Sequence, residues 1–279
     1  MKEERVRSWL FSPADVPQRC LKALDTAADQ VIWDLEDGVA AGRKEMARAQ
    51  LAGLAEQTAS ARMPWIRING PDTVWAADDL QAALKACSGR PPRIAVPKVD
   101  ARVVAWLQQQ GPAQSVQWLL IVESARGLWD LMHLDTAWLP GMSVRIAFGA
   151  LDYQADVGGD IGLDEQELLM PRSEIVLACR SLGWMAPIDA VYPRFDDEDG
   201  LSRAAQTARR LGYAGKMVIH PKQIGPVHQA FAPSDAELAW ARGVLAAGTG
   251  AGAVQVAGQM IDRPLLERAR QILAAAEGD

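Results

Sequence analysis

The sequence predicts a (β/α)8 barrel, the TIM-barrel fold, followed by a C-terminal helical arm. Eight strand-like runs recur at intervals of roughly 20 to 40 residues, and helical stretches lie between them. Most of these runs are continuously apolar rather than alternating, which is typical of parallel strands covered on both faces. Eight parallel strands are the number that closes a barrel. We therefore prefer the barrel to its main rival, a doubly wound open sheet.

The predicted barrel occupies residues 1–232. Helices are predicted over 17–28, 42–57, 73–86 and 198–212, the third starting at Thr73. Trp9, Trp33, Trp65 and Trp118 fall inside strands, and we expect them in the barrel core. The predicted strands are RSWLF (7–11), QVIWDL (30–35), WIRIN (65–69), RIAVPKV (93–99), VQWLLIVE (116–123), VRIAFG (144–149), PIDAVY (187–192) and KMVIH (216–220).

Residues 233–279 form the predicted arm. Helical stretches at 221–231 and 234–247 follow the eighth strand, and the small-residue segment GTGAGA (248–253) precedes a last amphipathic helix at 265–277. The glycines of this segment fit a dinucleotide-binding fingerprint poorly, because no clear strand precedes them and no helix opens on them. A hinge is the better interpretation.

Composition argues against several classes of protein. The chain has 279 residues, with 49% hydrophobic and 23% charged content, which is typical of a soluble globular protein. The net charge of −6 argues against a nucleic-acid partner. The three widely spaced cysteines predict neither a disulfide framework nor a zinc site. The charged N-terminus and the lack of a long apolar run argue against a signal peptide or a membrane partner, so we expect a cytoplasmic protein.

Residues 31–38, VIWDLEDG, run a buried strand directly into a cluster of carboxylates. Active sites of such barrels lie at the carboxyl ends of the strands, so this acidic cluster should face a shared mouth rather than the core. Nearly every predicted strand ends in polar or charged groups, namely Glu36, Asp37, Arg67, Asn69, Lys98, Glu123, Asp152, Asp189, Arg194 and His220.

Glu123 and Asp152 are the most informative pair. They end consecutive strands, which lie about 4.8 Å apart in a sheet. Two ionised carboxylates this close repel each other unless one is protonated or a cation lies between them. Hard oxygen ligands favour Mg²⁺ or Mn²⁺ over zinc. The alternative is a structural salt bridge, such as Glu123 with Arg126, and the residues alone leave both interpretations open.

Arg67 ends the third predicted strand, where its guanidinium could clamp a carboxylate with two hydrogen bonds. An internal pair with Glu36 or Asp37 is the alternative, and both could hold at once. His220 could be a base, but a histidine before a proline at a strand end is as often structural. The chain has no GxSxG motif, Cys–His pairing or P-loop, so hydrolase and NTPase functions have no motif behind them.

Longer motifs run from Arg7 to Ala269, nearly the whole chain. They are RSWLFSPADVPQRCLKAL, DLEDGVAAGRKEMAR, IRINGP, AVPKVD, IVESARGL, AFGALDY, KMVIHPKQIGPVHQAFAPS and MIDRPLLERA. Together they resemble the HpcH/HpaI aldolase and citrate lyase beta-subunit family, specifically its acyl-CoA lyase branch. That branch includes the citrate lyase beta subunit, malyl-CoA lyases and citramalyl-CoA lyase. The family fold is a TIM barrel, in agreement with the strand count.

The resemblance implies roles for the residues at the mouth. Glu123 and Asp152 would hold Mg²⁺, with Mn²⁺ as an alternative, and Arg67 would bind the carboxylate or carbonyl group of the substrate. Glu36 and Asp37 would act mainly through water bound to the metal.

The resemblance also implies contacts farther from the metal. Asp262 would be an acid or base that reaches a neighbouring subunit's site from the arm. Coenzyme A would contact segments matching Phe11 to Lys22, Val39 to Lys44, and Ile188–Asp189, with Arg43 and Lys44 as candidates for its phosphates. The chain departs from the family at Ala14, which replaces a glycine, and at Gln18, a position that is often basic. Both departures bear on the coenzyme A contact.

The implied function is reversible Mg²⁺-dependent cleavage of a 3-hydroxyacyl-CoA-type substrate, such as citramalyl-, malyl- or citryl-CoA, to a 2-oxo acid and an acyl-CoA. One alternative is a metal-dependent aldolase acting on a free 2-oxo-4-hydroxy acid. Another is the beta subunit of a multi-subunit citrate lyase that uses an acyl-carrier partner. Family members are commonly homotrimers in which each arm completes a neighbour's mouth, and we expect the same here. A monomer whose arm folds back on its own barrel is the alternative.

Overall fold

Eight parallel strands close into a barrel in chain order, and β8 pairs with β1. A computed structural model describes residues 6–58, 62–87, 89–110, 116–133, 143–247, 254–256 and 259–276. The closed ring of eight parallel strands confirms the predicted TIM barrel. Its strands are β1 (Ser8–Pro13), β2 (Gln30–Asp34), β3 (Trp65–Arg67), β4 (Arg93–Val96), β5 (Gln117–Val122), β6 (Ser143–Phe148), β7 (Ile188–Asp189) and β8 (Gly215–Val218).

Helices follow the strands around the barrel. The predicted helix at 73–86 begins at Ala76 rather than Thr73, because Thr73 lies in a turn where its amide donates to the Gly70 carbonyl. None of the helices in the described ranges is long and apolar enough to cross a membrane. The helices are α1 (Pro17–Leu24), α2 (Lys44–Glu56), α3 (Ala76–Ala86), α4 (Ala101–Gln109), α5 (Ala125–Met132), α6 (Ala150–Val157), α7 (Leu169–Ser181), α8 (Glu198–Leu211), α9 (Ile224–Phe231), α10 (Asp235–Ala247) and α11 (Arg263–Ala276).

Side chains of the strands alternate between two apolar cores. Trp9 and Trp65 lie in the barrel interior, with ring centroids 5.1 Å apart, together with Leu119 of β5. Trp33 and Trp118 point the other way, into the outer core between the strands and the helices. All four tryptophans are at most 6% exposed. All four are core residues, as predicted, but of these Trp9 and Trp65 alone lie inside the barrel.

A buried ion network joins β7 and β8 to α7. Lys216 of β8 lies with its Nζ 2.6 Å from Asp189 Oδ2 of β7, and neither side chain is exposed. Arg172 of α7 donates from Nε to Asp189 Oδ1 at 2.8 Å and from Nη2 to Glu165 Oε2 at 2.7 Å. Burial opposes ionisation of Asp189, but Lys216 and Arg172 outweigh it and lower the pKa of Asp189. Two acids and two bases thus neutralise one another between sheet and helix.

The C-terminal helices have a small core of their own. Helices α10 and α11 and strand β10 (Gln259–Ile261) contribute to it, and β10 pairs antiparallel with β9 (Val254–Val256). Arg209 of α8 contacts Glu237 of α10 at 2.9 Å. The predicted hinge at 248–253 lies outside the described residues, and the division into 1–232 and 233–279 stays a prediction. The core residues are Ala241, Val244, Ile261, Ala269 and Ile272.

The buried network predicts a large cost for Asp189→Ala. This change leaves Arg172 and Lys216 buried with less counter-charge, so we expect the free energy of unfolding to fall by about 3–5 kcal/mol. Urea denaturation measures it. The control is Asp196→Ala, which removes the ion pair of Asp196 with Lys222. The Asp196 side chain is 70% exposed, so this change should lower the free energy of unfolding by at most about 1 kcal/mol. Equal, small losses in both variants would contradict this account of the network.

Candidate active site

The first carboxylate of VIWDLEDG, Asp34, binds Arg67 at the mouth of the barrel. These residues end β2 and β3 and pair directly across the two strands. Arg67 donates from Nε to Asp34 Oδ1 at 2.6 Å and from Nη2 to Oδ2 at 2.7 Å. The backbone amides of Glu36 and Gly38 also donate to Asp34, each at 2.8 Å. Although burial opposes the ionised form of Asp34, Arg67 and these amides lower its pKa. Arg67 is therefore held rigidly in position.

Glu36 lies on the other side of the same guanidinium, and the cations near it compensate its negative charge only in part. Its Oε2 is 2.9 Å from Arg67 Nη1, and its Oε1 is 3.6 Å from Lys98 Nζ. Neither oxygen, both being buried, has a hydrogen-bond partner in the described chain. Burial raises the pKa of Glu36 to about 7. Repulsion from Asp37 and Asp34 adds to this increase, and attraction to Arg67 offsets only part of it. Asp37 is exposed, 3.6 Å from Arg67 Nη1.

Glu123 follows β5, and its carboxylate is buried. The backbone N–H of Lys98 donates to Glu123 Oε1 at 2.7 Å. Gly149, directly after β6, leaves room for the other oxygen, because a Cβ there would lie 2.4 Å from Glu123 Oε2. Burial, and then repulsion from Glu36 and Asp152, raise the pKa of Glu123 well above its usual range. An ionised Glu123 therefore needs a further cation nearby.

Two cavities meet at Glu123 and Asp152. Asp152 lies on the first turn of α6 rather than at the end of strand six, and burial and the charge of Asp37 raise its pKa. The outer cavity has a volume of about 710 Å³ and is lined by both carboxylates and by Lys98. The inner one, about 360 Å³, is lined by both carboxylates and Arg67, with apolar neighbours that include Phe11, Ile121, Leu151, Val191, Met217 and Ile219.

The charges at the mouth fit a divalent cation. Among the residues that the structure describes, two cations, Arg67 and Lys98, face the carboxylates of Asp34, Glu36, Asp37, Glu123 and Asp152. Within the described ranges, no group of three or more His, Cys, Asp or Glu side chains could enclose a metal by itself. Mg²⁺ typically takes only one or two protein carboxylates and fills its remaining positions with water and substrate. Glu123 and Asp152, beside open cavities and without thiolate or imidazole, match that donor set.

The predicted coenzyme A contacts are placed in very different environments. Lys22 is exposed on α1, and Arg43 is exposed with its Nε 3.2 Å from Asp15 Oδ2. Lys44, in contrast, is buried, and its Nζ donates to Asn69 Oδ1 at 2.6 Å and to two backbone carbonyls. It is therefore unavailable to a phosphate in this structure.

The segment around Asp189 is also unavailable as a side-chain contact. Both carboxylate oxygens of Asp189 are bound within the buried network described above, and Ile188 lies in the barrel interior, so neither side chain is exposed. Phe11 faces the inner cavity, where its ring lies 4.7 Å from the guanidinium carbon of Arg67. Of the departures from the family pattern, Ala14 is buried and Gln18 is exposed on α1.

His220 and Asp262 do not join the site within one chain. The His220 Nδ1 accepts from the backbone of Lys222 at 3.2 Å, and its ring stacks on Phe195, which is a structural role. Asp262 is exposed and directly precedes α11, where its Oδ1 accepts from the Leu265 amide at 3.3 Å. It lines neither mouth cavity among the described residues.

The similarity of the chain to known proteins agrees with this geometry. The family described as HpcH/HpaI aldolase/citrate lyase matches residues 7–221. The chain belongs to the HpcH/HpaI aldolase/citrate lyase family. Among relatives, it is 32% identical over 291 residues to the mitochondrial citramalyl-CoA lyase of Mus musculus, covering 97% of this chain and 86% of that protein. It is also 32% identical over 298 residues to citrate lyase subunit beta of Leuconostoc mesenteroides subsp. cremoris, covering 100% and 96%.

A solved structure of the family carries ligands. The protein CitE from Mycobacterium tuberculosis, in complex with magnesium, acetoacetate and coenzyme A, superimposes with a TM-score of 0.84. It is 36% identical to this chain, and the match covers 97% of this chain and 98% of CitE. These comparisons confirm the family that the sequence motifs predicted, and they agree with the barrel fold.

The pKa of Glu36 predicts that the metal-free protein loses stability as the pH rises. Its value of about 7, above the ordinary 4.5, means that the folded state holds this proton more tightly than the unfolded state. The resulting stabilisation is fully present below about pH 4.5 and is lost as the pH rises through 7. Between about pH 5 and pH 8, the free energy of unfolding in EDTA should fall by up to about 3 kcal/mol.

Urea denaturation across this pH range, in parallel on wild type and Glu36→Gln, isolates the contribution of Glu36. The amide cannot titrate, so the free energy of unfolding should fall less with rising pH in Glu36→Gln than in wild type. A difference that stays constant with pH would contradict the prediction.

Proposed function

We propose that the chain is a Mg²⁺-dependent carbon–carbon lyase. It would cleave, or form, a 3-hydroxyacyl-CoA-type substrate such as citramalyl-, malyl- or citryl-CoA, with a 2-oxo acid and an acyl-CoA as products. The observation that carries the proposal is the pair Glu123 and Asp152, poised between two cavities beside Arg67. The names of the relatives, and the magnesium and coenzyme A bound to CitE, support it.

The residues of the mouth have distinct roles in this proposal. Glu123 and Asp152 would hold the magnesium ion, and Oε2 of Glu123 is the oxygen that the Lys98 amide leaves available. Bound magnesium would supply Lewis-acid polarisation of the oxygen atoms of the substrate. Arg67 presents a preorganised positive charge where negative charge develops in the reaction. Its two hydrogen bonds to Asp34 fix the guanidinium before the substrate arrives.

The proposal is tested by turnover of the three acyl-CoA substrates with the purified full chain. We expect Mg²⁺-dependent cleavage of at least one of them, no cleavage in EDTA, and recovery on adding Mg²⁺ or Mn²⁺. Glu123→Ala and Asp152→Ala should each lower kcat/KM by on the order of 10³-fold or more. Glu56→Ala, an exposed carboxylate at the end of α2, is the matched control and should behave as wild type. Full activity in EDTA would refute the mechanism.

A second candidate function keeps the metal and Arg67 but uses no coenzyme A. Burial of Lys44, Ile188 and Asp189 favours it, because those side chains cannot contact a coenzyme A in this structure. The substrate would then be a free 2-oxo-4-hydroxy acid. Calorimetric titration with acetyl-CoA and coenzyme A separates the two functions, since only the acyl-CoA lyase binds them.

We further propose a cytoplasmic homotrimer in which residues 233–279 of each chain act as an arm. The exposure of Asp262 supports the assembly, because a group that moves a proton must reach the reacting carbon of some mouth. The three cysteines Cys20, Cys87 and Cys179 are free and buried, which fits a reducing compartment.

Mixing two inactive variants tests the shared site. Asp262→Ala chains keep the carboxylate pair, and Glu123→Ala chains keep the arm acid. If the arm serves a neighbouring copy, random exchange in equal amounts should restore about a quarter of the mouths. Activity is measured after exchange, which is followed with differently tagged chains, and each variant exchanged with itself is the control. Proven exchange without recovery would mean that each arm serves its own barrel.

A further inference from the structure

Lys98 has a backbone conformation that lysine rarely adopts. It follows β4 at the mouth with φ 54°, one of two non-glycine residues with positive φ in the described chain. Such left-handed residues cost free energy and are found preferentially at functional sites. In this conformation its amide contacts Glu123 Oε1 while its side chain extends along the outer cavity. The backbone amide of Lys98 thus binds Glu123, and its side-chain ammonium remains available to bind a different group.

The ammonium of Lys98 makes no hydrogen bond within the described part of the chain. Its side chain is 46% exposed, and the nearest carboxylate oxygen, Glu36 Oε1, is 3.6 Å away. The other cations near the outer cavity are engaged. Arg102 is 2.7 Å from Asp100, and Arg126 is 2.9 Å from Asp130.

Arg67 cannot take the place of Lys98 at the outer cavity. Its guanidinium lines only the inner cavity, and its Nε and Nη2 already donate to Asp34. The outer cavity is lined by five carboxylates, Asp72, Asp100, Glu123, Asp152 and Asp156. A substrate carboxylate that enters this acidic cavity needs a cation with unused donors, and an ammonium with three N–H groups provides one.

We propose that Lys98 binds a carboxylate of the 2-oxo acid half of the substrate from the outer cavity. The inference rests on the proposed lyase function and adds a substrate-binding residue to it. Arg67 then serves the inner cavity and Lys98 the outer one, with the Glu123 and Asp152 pair between them. Charge at position 98 should therefore control the affinity for the oxo acid rather than the affinity for the metal.

Pyruvate is the probe, bound to the full chain in the presence of saturating Mn²⁺ and measured by calorimetry. Lys98→Met keeps the length of the side chain and removes the charge. Lys98→Gly also removes the charge but relieves the left-handed backbone, so it should fold at least as stably as wild type. Both should weaken pyruvate binding by at least about tenfold. Lys98→Arg should recover most of the affinity, and Arg102→Met is the matched control for an exposed cation of the same cavity.

Mn²⁺ affinity, followed by the paramagnetic resonance signal of the free ion, is the second measurement. It should change by less than about threefold or become tighter in Lys98→Met, because removing a cation does not weaken attraction for another cation. Wild-type pyruvate affinity in Lys98→Met and Lys98→Gly would overturn the inference and leave the lyase proposal intact. Parallel loss of Mn²⁺ binding in both would also overturn it, since Lys98 would then only support the metal site. If wild type does not bind pyruvate, glyoxylate and oxaloacetate replace it as probes, and no binding of any of the three would refute both proposals.

Discussion

Repulsion between carboxylates at one end of the barrel is the constraint on which the whole site depends. Asp34 escapes it by binding Arg67 with two short hydrogen bonds, which fixes the guanidinium in turn. Glu36 and Glu123 do not escape it, and their pKa values are raised accordingly. The fold therefore buries these carboxyl groups with too few cations to stabilise all of their ionised forms. That stored repulsion makes the mouth attractive to a divalent cation.

The network of Asp189 shows the opposite use of the same chemistry. Asp189 also ends a strand, but Arg172 and Lys216 surround it, and no carboxylate oxygen is left for a ligand. The free energy of desolvating these charges is offset by their mutual attraction, so the network holds α7 on the barrel. Whether a buried acid here stabilises the fold or serves the site depends on how many cations are placed around it.

Side-chain direction explains which parts of the site could be predicted from the sequence. The eight strands follow from apolar runs, and the polar ends of those runs predicted Glu123, Asp152 and Arg67 at the mouth, where they line the cavities. Asp34 was missed as the partner of Arg67, although a period of two places it on the same face as Ile32, which points into the barrel. Asp189 follows the inward-facing Ile188 and therefore points outward. In strands that are apolar on both faces, the sequence does not show which residues point into the barrel and which point outward, so the sequence alone could not assign these directions.

The rim of the mouth bears on the assembly that the proposed function requires. Leu151, Phe195 and Ile219 follow β6, β7 and β8 and remain 42%, 43% and 43% exposed, respectively. Leu151 and Ile219 also line the inner cavity, and exposed apolar side chains around a cavity are typical of a surface that another chain covers. The arm of the same chain packs in a core of its own and leaves Asp262 in solvent. In the proposed trimer, one contact would bury the rim, exclude water from the cavities and bring in the missing acid. The reaction would then depend on assembly, because charge and cavity come from one chain and proton transfer from the next.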